Sequence, residues 1–374
     1  MEKERFQLGL DAMYLLGCAL HGQKPHRMIE SDLEQIFSFC KFHSIAATVA
    51  PAVKALELPA ECFDPFRQSL ARSLRKSILL NVEATQVQQY LEEIGCWYLP
   101  LKGSLIQNDY PQLGMRQMND HDILIDPQYQ DQVHDYMLRH GYEPSSIHLV
   151  IENSYQKPPI YNIEIHTALF GSESPKAFLD YYEGLEKTML LAEPGSCKRS
   201  FSPEDFYVYM IAHAYKHAMD GGIGVRFLAD IWIRRNRSEQ MDEAVVRGEL
   251  RKLGIAEFEE ICRSISEKLF DDPEAPGTLT ESESQLLHTI FAAGTNGTVT
   301  IRMENNLNRM DGKFKKFRYM VSRAFPSAQE LAAVYPVVLE KPFLLPLLQI
   351  WRLLCIVCTR PLSAVRELKM LLKK

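Results

Sequence analysis

Two aspartates two residues apart, Asp120 and Asp122, lead into the aliphatic run Ile123-Leu124-Ile125. Residues i and i+2 of a strand face the same side, so this spacing sets two carboxylates next to each other. Like charges held that close repel, and a divalent cation such as Mg2+ is the usual way to stabilise them. Upstream, the apolar run Trp97-Tyr98-Leu99-Pro100-Leu101 passes directly into Lys102-Gly103-Ser104. A strand that ends in Gly-Ser and opens a helix can aim backbone N–H groups and a hydroxyl at a phosphate. Together the two stretches offer a cation site and a phosphate cradle.

These residues resemble the active-site signature of the nucleotidyltransferase superfamily that shares its fold with DNA polymerase beta. The similarity is closer to a branch of poorly characterised bacterial nucleotidyltransferases whose motifs read Leu-Lys-Gly and Arg-x-Met-x-Asp-x-Asp. Here those are Leu101-Lys102-Gly103 and Arg116-Gln117-Met118-Asn119-Asp120-His121-Asp122. The signature includes a third carboxylate on a later strand, and Glu164 in the alternating run Tyr161-Asn162-Ile163-Glu164-Ile165-His166 supplies one. The resemblance implies that Asp120, Asp122 and Glu164 are the catalytic metal ligands for Mg2+ or Mn2+. Gly103 and Ser104 would hold the phosphates of an NTP, with ATP the expected nucleotide. Lys102 and Arg116 would offset charge on the leaving pyrophosphate. Arg116 has a second reading, a structural salt bridge to Asp120 or Asp126. The implied reaction moves an NMP onto a hydroxyl of an unknown acceptor: a small molecule, a peptide or a protein, with RNA less favoured. Two departures stand out. Lys102 precedes the glycine where many members carry an aliphatic residue, and His121 between the aspartates must find a partner if its ring enters the core.

Further along, Ser202-Pro203-Glu204-Asp205 starts a helix that carries His213 and His217 at i, i+4. That is the spacing of paired zinc ligands, without the glutamate of the His-Glu-x-x-His type. The same helix resembles one of the bacterial branch, where an Arg-x-Leu-x-Asp-Ile pattern follows; here that is Arg226 to Ile231. In that resemblance His213, His217, Arg226 and Asp230, together with His166, are possible substrate contacts; the alternative is a buried polar network tying two helices together. Two other functions compete with transfer: a catalytically silent nucleotide-binding or protein-interaction scaffold, and a zinc hydrolase built on His213 and His217.

The elements that must position these residues point to an α+β fold, a small mixed-sheet core embedded in helical flanks. Residues 1–80 read as a helical region, 81–200 as the nucleotidyltransferase-like domain and 201–374 as a helical domain. A long helix from Phe66 to Ile94, with Leu70, Leu74, Ile78, Val82 and Leu91 as its apolar stripe, leads into the first strand. Ser31-x-x-Glu34 reads as a capping box. A helix is expected over 102–110, another over 128–140, strands over 147–151 and 160–166, and a last helix over 361–374.

Composition bounds the rest. The chain has 374 residues, 46% hydrophobic and 24% charged, ordinary for a soluble globular protein, and a net charge of −6. From Ile301 onward there are 14 Lys and Arg against 5 Asp and Glu, a balance of +9 that leaves −15 for the preceding 300 residues. That basic end can meet a nucleic acid, an anionic lipid surface or the acidic body of its own chain. Within it, Lys313 to Tyr319 interleaves cations with aromatics, a texture that suits RNA or an amphipathic helix with its aromatics in the core. Phe343 to Cys358 is apolar but broken by Pro346, Gln349 and Arg352. It reads as a core or amphipathic helix rather than a membrane span, with peripheral membrane contact as the alternative. Eight scattered cysteines suit free thiols in a reducing cytoplasm. Met1-Glu2-Lys3-Glu4-Arg5 opens with mixed charge and no apolar run, so no secretory leader is expected.

Overall fold

Five short strands form one mixed sheet in the order β1-β2-β5-β4-β3: β1 Tyr98–Pro100, β2 His121–Ile125, β3 Glu143–His148, β4 Glu152–Lys157 and β5 Tyr161–His166. β2 and β5 run parallel, and every other pair is antiparallel. This computed structural model describes residues 2–359 except 149–150, 160, 173, 186–188, 238–239, 296, 309–311, 313, 329–330, 332–334 and 336. The expected helix at 361–374 and Lys313 lie outside the described residues.

The parallel β2–β5 pair needs a crossover, and the chain supplies helix α6 (Gln130–Arg139) followed by the β3–β4 hairpin. The single strand expected at 147–151 is therefore two. β4, Glu152-Asn-Ser-Tyr-Gln-Lys, has only Tyr155 as an apolar residue, so alternation could not reveal it. Ser154 instead bonds the side chains of Ser145 and Asn162 on its neighbours. The helix expected at 102–110 is shorter: α5 covers Gly103–Ile106, and turns carry the chain on to Tyr110.

One face of the sheet packs Ile123, Ile125, Ile163 and Ile165 under α6 and under α4 (Ala60–Glu93). α4 buries Ser73, Ser77, Leu80, Ala84, Val87 and Leu91. Ile78 and Val82, placed on its apolar stripe by sequence, are exposed. Val87 and Leu91, in the C-terminal part of α4, join the core on this face of the sheet.

On the other face, Leu99, Leu101 and Leu124 join a larger core made by helices from both ends of the chain. The first group is α1 (Glu2–His21), α2 (Leu33–Phe42) and α3 (Ala46–Ala55). Asp32, not Ser31, caps α2, accepting from the N–H groups of Glu34 and Gln35. After α7 (Lys176–Tyr182) and the two-residue strands β6 (Leu190–Leu191) and β7 (Arg199–Ser200) comes the second group. It contains α8 (Pro203–Asp220), α9 (Arg226–Arg237), α10 (Glu243–Lys252), α11 (Ala256–Phe270) and α12 (Glu281–Ala293). Ser202 caps α8 as its sequence predicts. The chain continues through α13 (Val299–Asn308), α14 (Lys315–Ala324), α15 (Val337–Glu340) and α16 (Leu345–Thr359).

Candidate active site

The parallel register sets Asp122 opposite Glu164 and Leu124 opposite His166. The antiparallel register on the other side of β5 sets Ser154 opposite Glu164 and Glu152 opposite His166. Strand periodicity then puts Asp122, Glu164, His166 and Glu152 on one face, away from the isoleucines. Asp120 precedes β2 by one residue and continues the row. Among the described residues, Asp122, Glu164 and His166 form the one group of three with ligand atoms all within 4.8 Å of each other. Asp120 is not part of that group, although it lines the same cleft.

His166 Nε2 lies 2.9 Å from Asp122 Oδ1 and 3.8 Å from Glu164 Oε2, and its Nδ1 lies 3.8 Å from Glu152 Oε2. Lys102 Nζ donates to the same Asp122 oxygen at 2.6 Å. Burial pushes the Asp122 carboxyl up, but the Lys102 ammonium and the His166 contact outweigh it and hold the group below the usual carboxylate range. Glu164 goes the other way. Burial, then the charges of Asp122, Asp120 and Glu152, push it up to about 9. Asp120 is also raised, by burial and by Asp122. His121 enters the opposite face, where burial lowers it to about 4. Its Nδ1 has no hydrogen-bond partner among the described residues.

The phosphate-type loop is built tightly. Lys102 adopts φ 51°, ψ −123°, a conformation that favours glycine. It turns the chain so that the ammonium reaches Asp122. At Gly103 a Cβ would collide with Arg116 Nη1 and lie 2.9 Å from Met118 Cε and Sδ. A side chain there would displace the ends of Arg116 and Met118, because these residues of the second motif pack directly on the first. Ser104 is buried and donates its hydroxyl to Leu101 O at 2.6 Å, so it turns into the backbone instead of facing the cleft. Arg116 takes neither Asp120 nor Asp126 as its partner. Its Nε and Nη2 bind the two carboxylate oxygens of Asp230 at 2.9 and 2.8 Å, and Tyr110 donates to Asp230 at 2.8 Å. This is the buried polar network between elements that sequence offered as the alternative for Asp230.

The cleft over this floor has a volume of about 540 Å³. α8 forms one wall with Tyr209, His213, Lys216, His217 and Asp220; Arg226, at the start of α9, and Arg302 add positive charge. His213 and His217 touch through their Nε2 atoms at 3.2 Å. Burial and then the Lys102 charge lower both, His217 to about 4, which keeps the pair neutral. No third His, Cys, Asp or Glu ligand joins them among the described residues. Arg226 Nη1 donates to Gln117 O at 2.8 Å, steadying the segment just before Asp120. The cleft also contains residues that sequence reasoning missed. Tyr209 and Lys216 share the face of α8 that carries His213 and His217, and helical spacing would have found them. Glu152 sits on the strand that polarity concealed.

No curated protein matches the chain. The crystal structure of an antigenic nucleotidyltransferase-like protein from Paracoccidioides brasiliensis aligns at 15% identity and a TM-score of 0.34, over 55% of this chain and 94% of that one. The pattern of a family described as uncharacterised nucleotidyltransferase matches residues 30–271, well over half of the chain and the whole of the sheet and both cleft walls formed by α8 and α9. The protein belongs to that uncharacterised nucleotidyltransferase family.

Proposed function

We propose that the protein is a divalent-metal-dependent nucleotidyltransferase that transfers an NMP from an NTP, ATP in the first instance, to a hydroxyl acceptor. The observation that carries this reading is the in-register pairing of Asp122 with Glu164, with His166 beside them, at the floor of a cleft walled by cations. In the reaction the acceptor oxygen bonds to the α-phosphorus, the bond to the bridging oxygen breaks, and pyrophosphate leaves. The donor set suits a hard cation. Two carboxylates and an imidazole converge, with ligand atoms within 4.8 Å of one another, a set that a divalent cation accepts. Asp122 and Glu164 would hold the ion, with His166 completing the set when Nε2 is unprotonated; the imidazole makes Mn2+ as good an occupant as Mg2+. Bound there, the ion supplies Lewis-acid polarisation of phosphoryl oxygen and lowers the pKa of a hydroxyl. Lys102 and the cations of α8, α9 and α13 offset charge as it moves to pyrophosphate. The backbone N–H groups at the start of α5, rather than the Ser104 hydroxyl, are the cradle for phosphate.

The test is pyrophosphate release from NTPs with Mg2+ or Mn2+, comparing wild type with Asp122→Asn and Glu164→Gln. Each variant is expected to lose about a hundredfold or more in rate. Undiminished release in both would overturn the assignment. One observation favours the silent-scaffold reading: Lys102 Nζ occupies the Asp122 oxygen that a metal would use. That reading predicts Mg2+-dependent NTP binding with no pyrophosphate released, even in the presence of a cell extract as acceptor source.

A further inference from the structure

Helix α16 is laid against the protein with Gln349 and Arg352 turned inward beside Leu345 and Leu348, which pack against Leu331 and Val338. Gln349 Nε2 donates to Pro326 O at 2.8 Å, and Arg352 Nη1 donates to Arg323 O at 2.9 Å, which ties the helix to the end of α14. The outward side is apolar: Leu347, Ile350, Trp351 and Leu354 are 53–63% exposed, and Phe343 just ahead is 71% exposed. A helix whose outer face meets only water carries polar residues there. α14 repeats the pattern. Phe314, Phe317, Val321 and Phe325 recur at helical spacing and are all exposed, so the core-facing aromatics expected from sequence are turned outward; Tyr319 alone is buried among them. Arg318 and Arg323 share the exposed surface of that helix.

We propose that α14 and α16 dock the protein on the interface of an anionic lipid bilayer, with the aromatic and aliphatic side chains of both helices at the headgroup–acyl boundary and the neighbouring cations against the headgroups. Three arguments select this occupant. The region from Ile301 onward carries 14 cationic against 5 acidic residues, complementary to anionic lipid. A symmetric dimer through this face would set the same cations against each other. Leu347, Ile350 and Leu354 have no stacking surface for bases, whereas a mixed aliphatic and Trp face is what lipid interfaces accept. The helix lies on the bilayer and does not cross it. Its apolar run is interrupted by Pro346, Gln349 and Arg352, and no helix among the described residues is long and apolar enough to cross a bilayer.

The experiment is flotation of the full chain with vesicles of phosphatidylcholine alone and of phosphatidylcholine mixed with phosphatidylglycerol, with tryptophan emission recorded in parallel. Wild type is expected to float with the mixed vesicles and not the neutral ones, to lose binding as salt rises, and to show a blue shift absent from Trp351→Ala. Leu347→Glu/Ile350→Glu, at two exposed positions, is expected to partition at least about tenfold more weakly with an unchanged circular dichroism spectrum and melting temperature. No flotation with either vesicle, or equal flotation with both, overturns the proposal. So does a solution dimer that the double variant dissociates, or retention on single-stranded RNA without vesicle binding. Because the readout is partitioning, the result is independent of whether the cleft transfers nucleotides.

Discussion

At Lys102 the backbone conformation and the side-chain contact are a single device. A residue with a Cβ at φ 51°, ψ −123° is strained by about 1–2 kcal/mol, and the contact with Asp122 at 2.6 Å is what the turn achieves. Replacing Lys102 by Ala removes the ammonium and keeps the strain, whereas replacing it by Gly removes both. Lys102→Gly is therefore expected to be more stable than Lys102→Ala by about 1 kcal/mol in urea unfolding, although both lose the ion pair. Equal stability would mean that the turn is not strained. The geometry of this loop was partly legible. The Lys-Gly pair and the Asp-x-Asp spacing are local patterns, and local patterns survive in sequence. The inward rotation of the Ser104 hydroxyl was not legible, because it depends on Leu101 O lying within reach of a tight turn.

Among the elements, the Arg116–Asp230 pair fastens α9 to the segment that delivers Asp120 and Asp122 to the sheet. Both side chains are more than nine-tenths buried. Truncating one partner of such a pair strands the other charge, so Asp230→Ala is expected to cost about 3–5 kcal/mol in chemical denaturation. The paired replacement Arg116→Met/Asp230→Leu should recover most of that loss, since no charge is left buried; a double variant as unstable as the single would refute the account. Sequence placed Arg116 beside the aspartates and Asp230 on a helix at the cleft, but it could not join them. A partner 114 positions away leaves no periodic trace. The same limit explains α4 and β4. Which face of α4 turns inward is decided by the strands and helices it covers, and β4 is written mostly in polar residues, of which Ser154 bonds across the sheet to Ser145 and Asn162.

For the whole molecule, the sheet is held between the α4–α6 layer and a core shared by helices from both ends of the chain, and that core has a pH-sensitive point. His43 is fully buried between the rings of Phe39 and Phe42, with its Nδ1 accepting from Val225 N. Burial lowers it to about 4, against about 6.5 in an unfolded chain. Between those values the unfolded state binds more protons than the folded one, so stability is complete above pH 6.5 and falls as the pH drops toward 4. The loss from this residue is about 3 kcal/mol by pH 4, and denaturation of His43→Gln across that range should show a shallower slope than wild type. The α+β class and the helical flanks were readable from hydrophobic periodicity. The merging of both flanks into one core was not, because each helix advertises an apolar face without naming the surface it meets.

The 114-residue span between Arg116 and Asp230 also bears on the order in which the molecule is made. As the chain leaves the ribosome, both motifs of the cleft floor are complete long before α9 exists. Until then the guanidinium that packs over Gly103 lacks its carboxylate, and it has every reason to stay in water rather than enter the core. The loop and the aspartates would reach their working arrangement only after α9 has been synthesised and docked. A contact of such high sequence separation is slow to form. A nascent chain that stops short of α9 would thus hold every residue of the cleft floor and yet no cleft.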